Sequence, residues 1–226
     1  MLAAAFLLAL TAGTTLAAAP TMVVEQPVGS DIPDGGSKDS GAVLVGANTS
    51  LTFTIKNTGD ANLTGLAITK DAGASAGDFT VTSSPVPPVL ASESTTFTVR
   101  FAPTATGVRA ATFHIANNDP IVSKQSFDIT ITGTGTAPVI VVEQPAGTAF
   151  ANAGAKDFGS VLLGASKPLT FRIRNTAAGP TAGPLSLTVI KEGADAGFFL
   201  VSEVSPAAPI VAGAFSEFTH SHQPKA

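Results

Sequence analysis

Val23-Val24-Glu25-Gln26-Pro27 returns as Val141-Val142-Glu143-Gln144-Pro145, an offset of 118 residues. The register holds through Lys38-Asp39 and Lys156-Asp157, Leu51-Thr52-Phe53 and Leu169-Thr170-Phe171, and Asn57-Thr58 and Asn175-Thr176. After an insertion around Gly179-Pro180-Thr181 the offset becomes 120 to 121, so that Phe79 matches Phe199 and Phe97-Thr98 matches Phe218-Thr219. A duplication of this kind restricts the fold to copies of one unit, each large enough for a core of its own. The expected division is a first module over residues 20–136 and a second over 137–226, joined by the short link Gly133-Thr134-Gly135-Thr136-Ala137-Pro138.

The unit reads as short strands. Leu51, Phe53 and Ile55 alternate with Thr52, Thr54 and Lys56, which is the period of a strand with one face on a core and the other in water. Phe97, Val99 and Phe101, then Ala111, Phe113 and Ile115, then Phe127, Ile129 and Ile131 repeat the pattern. With strands expected over residues 22–25, 63–69 and 79–82, about seven strands fit one module, the content of an immunoglobulin-like sandwich. The fold class is therefore all-β, with tandem immunoglobulin-like β-sandwiches.

The second copy stops matching after Thr219. Residues 99–135 have no counterpart, about three strands' worth, so the second module is expected to lack its last strands and to expose edges and apolar faces. The tail His220-Ser221-His222-Gln223-Pro224-Lys225-Ala226 matches nothing in the repeat, as a shifted or shortened reading frame would leave it. Completion of the sheet by another chain is the alternative.

Composition narrows the function. The chain has no Cys, which excludes disulfides, thiol nucleophiles and thiolate metal sites, and a net charge of −4 gives nucleic acid no electrostatic footprint. Residues 1–19 read as a secretory signal, with an apolar segment from Leu2 to Leu10, too short to span a membrane, and small residues before Pro20; cleavage is expected beside Ala18 or Ala19. No membrane span is expected in the mature chain. With neither Trp nor Tyr, the chain has no evident aromatic platform for a sugar.

Candidate chemistry is sparse. Asp157-Phe158-Gly159 spells the magnesium-binding triplet of kinases without the accompanying loops. His220 and His222 fall on one side of an extended tail but make only two ligands, and His114 alternates outward on a strand. Asn117-Asn118-Asp119, Asp71 and Asp78 could offer oxygen ligands to calcium, although turn chemistry accounts for them more simply. Asn48-Thr49-Ser50 and Asn62-Leu63-Thr64 fit a glycosylation pattern of little weight. No catalytic, cofactor-binding or metal site is assigned, no cofactor is expected, and the protein is not expected to be an enzyme.

Several motifs together resemble a known family. Asp157-Phe158-Gly159-Ser160-Val161, Phe53-Thr54-Ile55-Lys56-Asn57-Thr58-Gly59, Phe97-Thr98-Val99-Arg100-Phe101-Ala102-Pro103 and the closing Thr132-Gly133-Thr134-Gly135 resemble the bacterial choice-of-anchor D repeat, itself similar to Hydin-like (ASH-type) immunoglobulin-like domains. The resemblance implies a structural or adhesive repeat module of an exported, secreted or cell-surface bacterial protein. Its partners would be neighbouring modules and a protein or glycan at a surface. A second reading is an intracellular Hydin-like scaffold binding cytoskeletal or ciliary proteins; a carbohydrate-binding accessory module is weaker. On the residues themselves, Asn57-Thr58-Gly59 supplies a residue that accepts positive φ at a turn.

Overall fold

The computed structural model describes residues 17–121, 124–179 and 182–224. The secretory-signal reading rests almost wholly on residues 1–16, which lie outside the described residues. Thirteen strands are formed among the described residues: β1 (Met22–Glu25), β2 (Asp31–Ile32), β3 (Gly36–Leu44), β4 (Thr49–Asn57), β5 (Ala67–Lys70), β6 (Phe79–Ser83), β7 (Ser94–Phe101), β8 (Gly107–Ala116), β9 (Ser126–Thr136), β10 (Ile140–Glu143), β11 (Lys167–Asn175), β12 (Phe199–Val201) and β13 (Phe215–His222).

Two sheets make a sandwich. One has the order β2-β1-β4-β7-β6 and the other β3-β9-β8-β5. The inward residues expected from the alternation meet between them: Phe53, Ile55, Phe97, Val99 and Phe101 from the first sheet, and Ala111, Phe113, Ile115, Phe127, Ile129 and Ile131 from the second, all buried in one core. Phe53 pairs across the β4–β7 ladder with Phe97 and stacks on it at 4.8 Å between ring centroids; Phe79 and Phe101 do the same at 4.7 Å between β6 and β7. Offset stacks of this kind add to the area the rings bury.

Strand β3 has no clear signature in the sequence, because Gly36-Ser37-Lys38-Asp39-Ser40-Gly41 is polar and glycine-containing. It forms because β9 offers it a parallel ladder, from Gly36 opposite Ile129 to Leu44 opposite Thr136. The register shifts between Asp39 and Ala42, where Gly41 takes φ +79° and donates its N–H to the Asp39 carboxylate at 3.0 Å. A residue with a Cβ is strained at that φ, which accounts for the glycine. Leu63, expected to open a strand over residues 63–69, instead makes an isolated bridge to Val89, and the strand proper begins at Ala67.

A third sheet, β10-β11-β13-β12, repeats the order β1-β4-β7-β6 of the first. Its ladders superpose on the repeat: Phe171 opposite Phe218 stands where Phe53 faces Phe97, and Lys167 opposite His222 where Thr49 faces Phe101. This corrects the expected extent of the gap. His220-Ser221-His222 does not leave the repeat but completes β13, filling the positions of Val99, Arg100 and Phe101, because ladder bonds are backbone bonds that tolerate a change of side chain. Among the described residues no strand stands in the place of β8 or β9, and the segments matching β3 and β5 form none.

Candidate functional site

Two brackets recur in both copies. Glu25, buried, accepts the Gly29 N–H at 2.7 Å and the Lys56 ammonium; Glu143 accepts the Gly147 N–H at 2.8 Å and faces Arg174 Nε at 3.3 Å. The Gly29 amide first, and then Lys56, hold the Glu25 carboxyl below its ordinary range. Each Glu thus ties the turn after the first strand to the neighbouring strand.

Asn57 corrects the turn reading. It is the last residue of β4 and is buried, and neither Asn57, Thr58 nor Gly59 takes a positive φ. Its Nδ2 donates to the carbonyls of Ala61 and Val89 while its Oδ1 accepts from the N–H groups of Thr21 and Gly59. Asn175 repeats the device, donating to Gly183 and Ile210 and accepting from Val139 and Ala177. A buried amide with all four of these bonds made replaces backbone partners that the irregular chain there cannot supply itself.

The acidic candidates are dispersed and occupied. Asp119 accepts from the N–H groups of Met22 and Ile121, Asn118 exchanges bonds with Thr64 N–H and the Asn62 carbonyl, and Asn117 binds the Ile115 and Lys124 carbonyls and the Asp119 N–H. Asp78 holds Thr104 and the Arg109 guanidinium. Burial works to raise its pKa, but the Thr104 and Arg109 hydrogen bonds outweigh that, so the carboxyl lies below its ordinary range. Asp71 sits instead on His114 Nε2 at 3.0 Å, with Asp128 on Nδ1 at 2.8 Å. Two carboxylates on one imidazole, Asp128 foremost, raise the His114 pKa.

The kinase-like triplet is the β3 turn in its second copy: Asp157 accepts the Gly159 N–H at 2.7 Å, with Gly159 at φ +66°, as Asp39 and Gly41 do. His220 and His222 do share a side, as expected, and it is the core side. Both rings lie 4.9 Å from the Phe199 ring and within 6 Å of Phe158, so their neighbours are aromatic. Among the described residues no group of three or more metal-ligating side chains comes together. Burial, and then the charge of Lys191, lower the His220 pKa.

The remaining feature is the uncovered inner face of the third sheet. Met22 is 1% exposed in the first copy, and its counterpart Ile140 is 53% exposed. Phe171 and Ile173 stay buried, but Phe199 and Phe218 are only half-buried where Phe79 and Phe97 are fully enclosed. A groove of about 580 Å³ opens there, lined by Val142, Phe150, Phe171, Phe199, Phe218, His220 and residues 189–196. Phe150 and residues 189–196 were not legible as site residues, since their exposure follows from what is missing over them.

The sandwich defines the class: an immunoglobulin-like β-protein. Within it, residues 37–134, from β3 to β9, match the model of the HYDIN/CFA65/VesB-like, Ig-like domain family. Among solved structures, the chain is similar to the ASH / PapD-like domain 7 of human CEP192, at 9% identity and a TM-score of 0.39, covering 60% of this chain and 96% of that one. It is also similar to the secreted serine protease VesC of Vibrio cholerae (10%, TM-score 0.36, covering 83% of this chain and 45% of the protease). A third is the C-terminal domain of the antigen I/II-family protein AspA of Streptococcus pyogenes (11%, TM-score 0.31, 92% of each). No curated protein sequence matches the chain.

Proposed function

We propose that the chain is a non-enzymatic structural or adhesive repeat protein of an exported bacterial surface assembly, of the choice-of-anchor D kind, with modules over residues 20–136 and 137–226. The observation that carries this reading is the duplication of one architecture. The same Glu and Asn brackets recur, and only three residues separate the end of β9 from the start of β10. The copies also touch, since a Cβ on Gly183 would come within 2.6 Å of Leu44 Cδ1. Such units supply length and surface, and their partners would be neighbouring modules and a protein or glycan. Among the described residues no helix is long and apolar enough to cross a membrane.

Export has a specific expectation at the mature terminus. Ala19 donates its N–H to Asp60 at 2.7 Å and accepts the Asp60 N–H at 3.1 Å. A cut between Ala18 and Ala19 keeps this pairing and turns the donor into an ammonium facing a carboxylate. Fractionation of the native bacterium followed by N-terminal sequencing should find a mature form beginning at Ala19 outside the cytoplasm. An unprocessed protein confined to the cytoplasm overturns the surface reading in favour of an intracellular scaffold.

A further inference from the structure

Leu44 is the last residue of β3 and stands opposite Thr136, the last residue of β9, so it lies at the end of the first sandwich from which the link departs. The backbone around it is fixed: the Val45 N–H donates to the Thr136 carbonyl at 2.8 Å and the Ala47 N–H to the Leu44 carbonyl at 2.9 Å. Across the joint its isobutyl group lies against Gly183. A Cβ there would come within 2.6 Å of Leu44 Cδ1 and 3.1 Å of Cδ2, and Gly183 takes φ +78°, so a side chain would be both obstructed and strained. The first copy shows that the fold itself does not ask for this glycine. Asn175 Nδ2 donates to the Gly183 carbonyl as Asn57 Nδ2 donates to that of Ala61, which makes Ala61 the counterpart, and Ala61 has no positive φ. The insertion in the repeat falls on the same stretch, with residues 176–184 between Asn175 and Leu185 where residues 58–62 lie between Asn57 and Leu63. The second copy thus departs from the first at the place that faces Leu44.

The link has little freedom of its own. Gly133 and Gly135 lie in the β9 ladder, opposite Arg109 and Gly107. At the far end the Val139 N–H donates to Asn175 Oδ1 at 3.1 Å, and the Val139 carbonyl accepts the Thr176 N–H at 2.8 Å. Ala137 and Pro138 stand between these two anchored ends, and the proline ring fixes its own φ. Because the buried Asn175 binds both Val139 and Gly183, the end of the link and the glycine notch form one piece.

We infer that the two modules are locked in one orientation by Leu44 seated in the notch at Gly183, with the link acting as a strut rather than a hinge. Domains on one chain move relative to each other unless contacts across the joint hold them. Here the seat and the strut lie side by side at one end of the sandwich, so rotation about the link would lift Leu44 out of its notch. The partner that this end of the first module fits is a module with glycine at that position, since a side chain there would push Leu44 away. The joint presupposes the two modules of the proposed function but not their export.

The chain has no Cys, so nitroxide labels at Thr80→Cys and Thr170→Cys, both exposed and one in each module, report the orientation in the full chain by pulsed electron spin resonance. A single narrow distance distribution is expected. Leu44→Ala and, separately, Gly183→Ala should each widen it about twofold or more. The double variant should be no wider than either single one, because both remove the same contact. A distribution that is broad before either substitution overturns the inference, as do variants that leave the width unchanged or whose effects add. A label pair within the first module, Thr80→Cys with Val108→Cys, should keep its distance in Leu44→Ala. Broadening of that pair also overturns the inference, because it makes Leu44 part of the first module's own packing. Protein confined to the cytoplasm would overturn the surface reading and leave this joint standing, whereas a broad distribution does the reverse.

Discussion

His114 and His220 sit on opposite sides of their sheets, and pH acts on them with opposite sign. His114 lies on the outer face between Asp128 and Asp71, so its folded pKa is raised above the ordinary 6.5. The stabilisation is fully present below that value and is lost as pH rises through the folded pKa. Replacing His114 with Gln should therefore lower the melting temperature of the protein clearly at about pH 5.5 and little at about pH 8.5, checked by calorimetry across that range. His220 occupies the place of Val99 on the inner face, where burial lowers its pKa below 6.5 and its Nε2 has no hydrogen-bond partner. Here stability is present above the unfolded value and falls as pH drops through the folded one. His220→Val should slow exchange at β13 amides, with a larger gain at about pH 5.5 than at about pH 8. A gain independent of pH would mean that the imidazole has the same pKa in the folded and unfolded chain.

Along β7 the inward and outward residues carry very different energy. Phe97 is 1% exposed and stacked on Phe53, whereas Thr98 exchanges a hydroxyl bond with Thr52 at an exposed position. Phe97→Ala should cost about 3–5 kcal/mol in denaturant unfolding and Thr98→Ala under about 1 kcal/mol. Comparable small losses would reject the strand phase. Alternation of this clarity made β4, β7, β8 and β9 readable in advance, because a half-buried strand imposes period two on its own sequence. β3 escaped for the converse reason: Asp39 and Gly41 serve a bulge, and the strand's identity lies in β9 beside it. Asn57 and Asn175 were visible as a repeated pair, but their burial was not, since a turn residue and a buried bracket draw on the same amide. The duplication showed a match that breaks off after Thr219. It did not reveal that His220 and His222 still belong to a strand, because histidine at a core position breaks the pattern by which cores are found.

Across the whole molecule, one set of brackets supports two different degrees of closure. The first sandwich encloses its core between two sheets, so its aromatic rings, its buried Asn57 and its ion pair between Asp78 and Arg109 are lost together when it opens, which is the basis of cooperativity. The third sheet has the same ladder order but no paired partner sheet among the described residues. At the position of Asp78 it carries Phe198, 36% exposed, where an arginine from β8 would otherwise be met. Its Phe171–Phe218 stack, 5.3 Å between centroids, meets Phe150 edge-on at Phe171. Residues 20–136 expressed alone should therefore unfold in a single cooperative transition with a strand-rich circular dichroism spectrum. Residues 137–226 alone should lose their signal gradually on heating and bind a dye specific for exposed apolar surface. A sharp transition in the second fragment, with calorimetric and van't Hoff enthalpies in agreement, would show that one sheet with its flanking segments is a stable unit. In that case the exposed Phe198, Ile190 and Leu162 would be surface features rather than the margins of an unfilled core.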